Sequence, residues 1–178
     1  MDSVQVKKLG REALLQHAVK LLERRPLTER ELRARLERKA RSESDVDEAV
    51  NRLLGLRYLS DSRTAESHAY GRREFQGFGK RRVLEELRQR GVSERAAEKA
   101  VEEAYDGVDE GDLIREFLKR KMPSARFEHR KTGKRAVERL LRAGFSSGRI
   151  LEALRGLAPG AEWTEELDES DLEPSGDL

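Results

Sequence analysis

Cysteine is absent from this 178-residue chain, and aromatic residues make up only 5% of it. The lack of cysteine excludes disulfide frameworks and thiolate metal sites. Apolar runs are also short. None approaches the length that spans a membrane, and the first residues lack the apolar core of a signal peptide. We therefore expect a soluble, cytoplasmic protein.

Charged residues are abundant instead, at 40% of the chain against 36% hydrophobic, which suits slim amphipathic helices better than one thick core. The net charge of +2 conceals an asymmetry. Eight of the 35 acids lie in residues 162–178, which contain no Lys or Arg, so the rest of the chain carries 37 bases against 27 acids, a net charge of +10. A basic body with an acidic tail predicts an anionic or acidic partner, for which the tail could compete.

A ten-residue pattern occurs three times, at residues 31–40, 82–91 and 135–144. Leu36, Leu87 and Leu140 lie at equivalent places, at spacings of 51 and 53 residues. A period of about 50 residues is typical of arrays of supersecondary units. Such arrays offer extended surfaces, which bind polymers or partner proteins more often than they enclose a substrate.

Each copy lies in the second of three predicted helices. In the first copy, Thr28 and Glu31 form a capping-box pattern, and a third helix is predicted to follow Ser44. In the third copy, Thr132 occupies the place of Thr28. Nothing resembles a strand. We predict an all-α fold of about nine helices in three tandem three-helix modules, at residues 9–59, 60–107 and 108–158.

Residues 159–178 form the acidic tail, for which disorder is favoured. Trp163, the sole tryptophan, leaves an alternative open, because a short amphipathic helix could dock it on the body or on a partner. If the tail screens the basic body, truncation after Gly160 should strengthen binding to an anionic partner.

The second helices of the last two copies begin with cations, at Gly79-Lys-Arg-Arg82 and Thr132-Gly-Lys-Arg135. Cations in a first turn oppose the helix dipole, whereas a bound anion would let them and the exposed N–H groups converge on it. A solvated charged face is the alternative. Phe75 and Phe78, nearby, are expected to close the loop, and base stacking is the second possibility. The candidate contact residues are Arg72, Arg73, Lys80, Arg81, Arg82, Arg126, Arg130, Lys131, Lys134 and Arg135.

Other candidate sites fail on their spacing. Gly77-Phe-Gly-Lys80 lacks the spacing and the hydroxyl residue of a phosphate-binding loop. His17, His68 and His129 are isolated from one another, so we expect no metal site. No nucleophile–base pair can be argued. We expect no catalytic residues, no cofactor and no enzymatic activity.

Two segments resemble the RecX family of recombinase regulators. Residues 56–65, Leu-Arg-Tyr-Leu-Ser-Asp-Ser-Arg-Thr-Ala, are similar to that family's tyrosine-leucine-Asp-Asp-x-Arg-Phe-Ala segment, with departures at Ser60 and Thr64. Residues 77–91, which run from Gly77-Phe-Gly to Gly91, are similar to its glycine-x-glycine, basic, Glu-Leu-x-x-x-Gly segment. The resemblance covers about residues 10–157.

The resemblance implies an elongated, curved array of three modules that binds within the groove of a RecA filament on single-stranded DNA. It implies a regulator, mainly an inhibitor, of RecA's ATPase, strand-exchange and co-protease activities in DNA repair and the SOS response. We expect a monomer that contacts RecA, and single-stranded DNA weakly or through RecA. Two alternatives stay open. One is a stand-alone DNA-binding protein, since residues 28–59 also resemble the helical part of a winged helix. The other is a helical scaffold for a different protein.

Overall fold

The computed structural model describes residues 8–165, and in this range the fold is all-α, as predicted. Apart from one isolated parallel bridge between Leu9 and Ala40, these residues form no β-structure. None of the helices in this range is long and apolar enough to span a bilayer. The ten α-helices are α1 (Arg11–Arg24), α2 (Glu29–Glu37), α3 (Glu43–Gly55), α4 (Asp61–Gly71), α5 (Lys80–Gln89), α6 (Glu94–Ala104), α7 (Glu110–Lys121), α8 (Arg130–Arg142), α9 (Ser147–Leu157) and α10 (Glu162–Glu165).

The helix starts agree with the sequence in one case and correct it in two. The capping box is confirmed, because Thr28 Oγ1 accepts from the Glu31 N–H and the Glu31 carboxylate accepts from the Thr28 N–H, both at 3.1 Å. Helix α3 is capped by Ser42, two residues before the predicted Ser44. Helix α8 begins at Arg130, so Thr132 lies inside the helix and does not cap it.

The described chain divides into two compact units. The first contains the residues up to Ser67 together with Leu87–Ala100. Its core is built from α1, α2 and α3, where Leu14, Leu36 and Val50 have no exposed surface. Thr64, one of the departures from the family pattern, is also buried, and its hydroxyl donates to the Leu27 carbonyl at 3.2 Å. A polar residue is tolerated there because its hydrogen bond is satisfied.

The first unit also joins the start of α2 to the end of α5. The Thr28 hydroxyl donates to the Arg90 carbonyl at 2.7 Å, and the Arg90 side chain pairs with Glu31 at 2.9 Å. Burial raises the pKa of Glu31, but the hydrogen bonds from Arg90 and the Thr28 N–H, together with the charges of Arg90 and Arg25, outweigh it and hold the pKa below its ordinary value. The start of α2 and the end of α5 are therefore joined by a hydrogen bond to a backbone carbonyl and by an ion pair.

The second unit contains His68–Glu86 and the residues from Val101 onward. Its core lies among α7, α8 and α9, with Ile114, Leu140 and Ile150 fully buried. Phe117 and Phe145 pack edge to face, with ring centroids 5.7 Å apart. The candidate contact residues all belong to this unit.

The division between the units falls within α4, α5 and α6, so the predicted middle module, residues 60–107, contributes to both. Leu87, the central leucine of its repeat, is fully buried, as are Leu36 and Leu140. The sequence therefore identified the inward positions of the repeat. The module limits at 9–59, 60–107 and 108–158 stay predictions.

One local feature was not anticipated, and the structure decides between the two alternatives for Trp163. Helix α4 continues without a break into a π-helical segment, Arg72–Gln76, which ends at Gly77 with a left-handed φ of 65°. The tail contains α10, in which Trp163 is only 5% exposed. The disorder favoured for the start of the tail is thus wrong as far as Glu165, and residues 166–178 lie outside the described part of the chain.

Candidate binding surface

The ten candidate contact residues fall into two classes of exposure. Arg72, Arg73 and Arg82 are half-buried, and each contacts other groups of the second unit. The remaining seven are exposed: Lys80, Arg81, Arg126, Arg130, Lys131, Lys134 and Arg135. Sequence alone does not separate these classes, since the half-buried Arg82 and the exposed Arg81 are identical neighbours in one short segment.

Glu86 of α5 contacts His68 and two of the three half-buried arginines, Arg72 and Arg82. Arg72 Nε donates to the Glu86 carboxylate at 2.6 Å and Arg82 Nε at 3.1 Å, while His68 Nε2 lies 2.9 Å from it. The Phe78 ring completes the cluster, with the Arg82 guanidinium carbon 3.8 Å and that of Arg72 5.8 Å from its centroid. We call these five residues the Glu86 cluster. Its arginines hold α4, the π-helical segment and α5 together.

Burial raises the pKa of Glu86, but the hydrogen bonds from Arg82 and His68 and the charge of Arg72 outweigh it, so the pKa lies below its ordinary value. A carboxyl group whose pKa is lower in the folded state stabilises the fold above its unfolded-state pKa, and this stability is lost as the pH falls through the folded-state value. The Glu86 cluster should therefore weaken as the solution is acidified below the ordinary glutamate pKa of about 4.3.

Glu86→Gln is expected to lower the free energy of unfolding at pH 7 by about 2 kcal/mol, because three charge-assisted contacts lose their anion. The difference from the parent should shrink as the pH is lowered through the folded-state pKa of Glu86, where the parent also loses its carboxylate. Urea unfolding at several pH values measures both effects. Glu138→Gln, at an exposed position of α8, is the control and should change little. A pH-independent loss in Glu86→Gln would contradict the electrostatic explanation.

The first turn of α5 is docked on the end of α8. The Gly79 N–H donates to the Ala143 carbonyl at 2.7 Å, and the Arg81 N–H to the Gly144 carbonyl at 3.2 Å. Arg82 Nη1 donates to the Arg142 carbonyl at 3.1 Å. The prediction that these N–H groups are free for an anion is therefore wrong at α5. Carbonyls at a helix C-terminus carry partial negative charge, which favours the cations of this turn.

The exposed candidates form two groups at opposite ends of α8. Lys80 and Arg81 belong to the turn that meets Ala143 and Gly144. The other group, with Lys131, Lys134 and Arg135, lies in the first turns of α8, where Lys131 and Arg135 are neighbours at i, i+4. At 1.5 Å per residue, residues 131–135 lie about 12–18 Å from the Ala143 end of α8, so the groups are separated by that distance along it. One small anion cannot bridge that distance.

The two phenylalanines behave differently. Phe78 packs against the core of the second unit, and its carbonyl accepts from the Tyr105 hydroxyl at 2.5 Å, so the expected loop closure is confirmed for Phe78. The same expectation is wrong for Phe75, which is 75% exposed. Arg120 of α7 donates to the Phe75 carbonyl at 3.2 Å. Arg120 was missed by the sequence analysis, although the last turn of α7 is basic throughout.

The remaining motifs keep structural roles in the described residues. Gly77 supplies the left-handed turn after the π-helical segment, and Gly79 lies where a Cβ atom would be 2.3 Å from the Gly144 carbonyl oxygen. His68 joins the Glu86 cluster. Between residues 8 and 165, no group of three His, Asp or Glu side chains is placed to hold a metal ion.

In residues 8–165, a helical fold without strands, a sequence pattern repeated in three of its helices and exposed cations near the starts of α5 and α8 define an all-α protein with a charged surface. The comparisons with known proteins specify it further. The family models for the first and second three-helix domains of RecX match residues 15–53 and 60–101. The chain is 33% identical to the regulatory protein RecX of Deinococcus radiodurans over 148 residues, which are 83% of this chain and 70% of the relative.

The RecX of Vibrio campbellii is 31% identical over 137 residues, which are 77% of this chain and 86% of the relative. The chain therefore belongs to the RecX family. Its fold is similar to the crystal structure of RecX from Lactobacillus salivarius, with a TM-score of 0.64 and 21% sequence identity, over 82% of this chain and 95% of that structure.

Proposed function

We propose that this protein binds RecA filaments on single-stranded DNA and modulates, mainly by inhibition, the ATPase, strand-exchange and co-protease activities of RecA. It would act by binding alone, as a cytoplasmic monomer in DNA repair and the SOS response, without a cofactor or chemistry of its own. Membership of a family of regulatory proteins is the observation that supports this most directly.

The geometry of the second unit supports a polymeric partner. Its exposed cations lie in two groups about 12–18 Å apart along α8, a separation that suits repeated anionic groups and not one small ligand. The half-buried arginines are excluded from the contact set, because Arg72 and Arg82 already pair with Glu86. We therefore propose that the partner is contacted by the exposed residues Lys80, Arg81, Arg126, Arg130, Lys131, Lys134 and Arg135.

Exposed aromatic residues of the second unit support direct contact with single-stranded DNA. Phe75 is 75% exposed, and the Arg73 guanidinium carbon lies 5.3 Å from the centroid of the Tyr70 ring, which is 45% exposed. Exposed aromatic rings beside arginines are the surface on which unpaired bases stack. We propose that any DNA contact of the second unit uses Phe75, with RecA supplying most of the binding surface.

The test is the rate of RecA ATP turnover on single-stranded DNA, measured with and without this protein, together with co-sedimentation of the protein with RecA filaments. We expect a concentration-dependent fall in turnover and recovery of the protein in the filament pellet. Filaments without the protein and DNA without RecA are the controls. Unchanged turnover and no co-sedimentation would reject the proposal.

A second experiment, duplex binding without RecA, separates the alternatives. Binding to naked duplex with a sequence preference would favour a stand-alone DNA-binding protein, whereas weak binding that falls steeply with salt indicates phosphate contact only. In that alternative, residues 53–59 end a candidate recognition helix. Leu53 and Leu59 are buried in the first unit and are not available to contact bases, whereas Leu56 and Tyr58 of the same segment are exposed.

A further inference from the structure

Trp163 anchors the beginning of the acidic tail on α8. Its indole Nε1 donates to the Phe127 carbonyl at 3.0 Å, and the side chain belongs to the core of the second unit. The six-membered part of the ring lies against Gly133, where a Cβ atom would be 2.3 Å from its nearest carbon. The indole can pack here only because position 133 has no side chain.

Neighbouring contacts hold the same segment. Thr164 is 3% exposed, its hydroxyl donates to the Ala161 carbonyl at 2.8 Å, and its own carbonyl accepts from Arg155 Nε of α9 at 3.3 Å. The chain therefore leaves the second unit from a defined place beside α8. The described residues end two positions after Trp163, at Glu165.

The cations near Gly133 in sequence lie on the exposed side of α8, with Lys131 and Arg135 about 200° around the helix from the Trp163 contact. Gly133 is followed directly by Lys134 and Arg135 and preceded by Lys131, and all three side chains are exposed. Among the described residues, none of the three has an ion-pair partner. Glu138, the nearest acid along α8, forms no ion pair with them either. This face of α8 therefore presents positive charge that the rest of the described chain does not neutralise.

The chain beyond Glu165 has the complementary charge. Residues 166–178 contain six acids and no base. At about 3.3 Å per residue, even its first five residues reach about 16 Å from the anchor, which covers the first turns of α8. Since a helix with its side chains is about 10–12 Å across, this reach extends around α8 to its exposed side, where a segment tethered so closely has an effective concentration of about 1 mM or more.

We propose that the acidic segment 166–178 docks on the exposed cationic face of α8 formed by Lys131, Lys134 and Arg135, with Trp163 as its anchor. The docked segment occupies the same cations that an anionic partner would use, so it competes with that partner at this end of α8. The docking of the acidic segment on α8 does not depend on the proposed function, whereas its competition with an anionic partner does.

Zero-length carbodiimide cross-linking of the full chain, followed by peptide mass spectrometry, tests the docking. Acids between Asp168 and Asp177 should cross-link to Lys131 and Lys134 at least about tenfold more often than to Lys20 and Lys39 of the first unit, which are also exposed. The excess should disappear in 1 M salt, where screening acts over about 3 Å. Equal cross-linking to all four lysines, or none to Lys131 and Lys134, overturns the proposal.

Binding of a fluorescent oligothymidylate tests the competition. A chain truncated after Glu165 keeps Trp163 and should bind about tenfold more tightly than the full chain at low salt, with the gain lost at high salt. Truncation after Gly160 is unsuitable, because it also removes the buried indole. Replacing the six acids by their amides in the full chain should reproduce the gain. If both variants bind like the parent, competition is refuted. If no form binds the oligonucleotide, the proposed DNA contact fails, and cross-linking alone decides the docking.

Discussion

Charge reversal of five exposed cations is expected to weaken binding to RecA filaments on single-stranded DNA by about 100-fold. An exposed ion pair contributes up to about 1 kcal/mol, and reversal replaces that attraction with repulsion. A loss of about 0.6 kcal/mol at each of five positions gives about 3 kcal/mol, which is roughly 100-fold in the dissociation constant. The five substitutions to Glu are made together at Lys80, Arg81, Lys131, Lys134 and Arg135.

The choice of residues follows from the structure. Each of the five is exposed, whereas Arg72 and Arg82 pair with Glu86 and Arg73 donates to the Ala104 carbonyl. Reversing the half-buried arginines would confuse lost binding with lost stability. The five chosen substitutions should leave the free energy of unfolding within about 1 kcal/mol of the parent.

A matched control reverses five exposed cations of the first unit and changes the net charge by the same amount. Its effect on filament binding should be less than about tenfold. An equal loss in both variants would mean that net charge, and not this surface, governs binding. Full binding by the first variant would leave a scaffold for another partner as the better hypothesis. The control positions are Lys20, Arg24, Lys39, Arg52 and Arg95.

Gly144→Ala is expected to destabilise the protein by about 3 kcal/mol. Gly144 has a φ of 87°, a conformation that costs other residues about 1–2 kcal/mol. A Cβ atom here would also lie 2.3 Å from the Arg82 backbone nitrogen and 2.9 Å from its Cα. Since these are backbone atoms, the first turn of α5 would have to move away from the end of α8, at a further cost of about 1–3 kcal/mol.

Urea unfolding with two control variants separates these contributions. Gly107→Ala has a similar φ of 66° but meets nothing within 4 Å, so it isolates the backbone strain, about 1–2 kcal/mol. Gly156→Ala, at an open and exposed position of α9, should stabilise the protein by about 0.5–1 kcal/mol. If Gly144→Ala costs no more than Gly107→Ala, the contact between α5 and α8 has no energetic weight.

The repeat was the part of the fold most accessible from sequence. Leu36, Leu87 and Leu140 were predicted as inward positions of three equivalent helices, and all are fully buried. Helical periodicity is a local property, so the apolar stripe of each helix can be identified before its neighbours are known. The start of α8, by contrast, was predicted wrongly. Equivalence to Thr28 predicted Thr132, but the helix extends back to Arg130 and no side chain caps its first turn.

Only part of the candidate binding surface could be predicted from the sequence. Arg81 and Arg82 are adjacent and chemically identical, yet Arg81 is exposed whereas Arg82 pairs with Glu86 and covers Phe78. Neighbouring positions on a helix point about 100° apart, so their environments depend on what packs against each side. The sequence therefore indicated where cations gather, but not which of them remain available to a partner.

The amino-acid sequence by itself determined the helices, their inward faces and the family, because amphipathic periodicity and short motifs are properties of contiguous residues. Only the tertiary structure decided which individual side chains are buried, paired or exposed. Trp163 shows this most clearly, since the acidity of its segment favoured disorder, yet the indole is 5% exposed. The space it occupies exists because Gly133, 30 residues earlier, lacks a side chain, and such complementarity between distant positions appears only when the chain is folded.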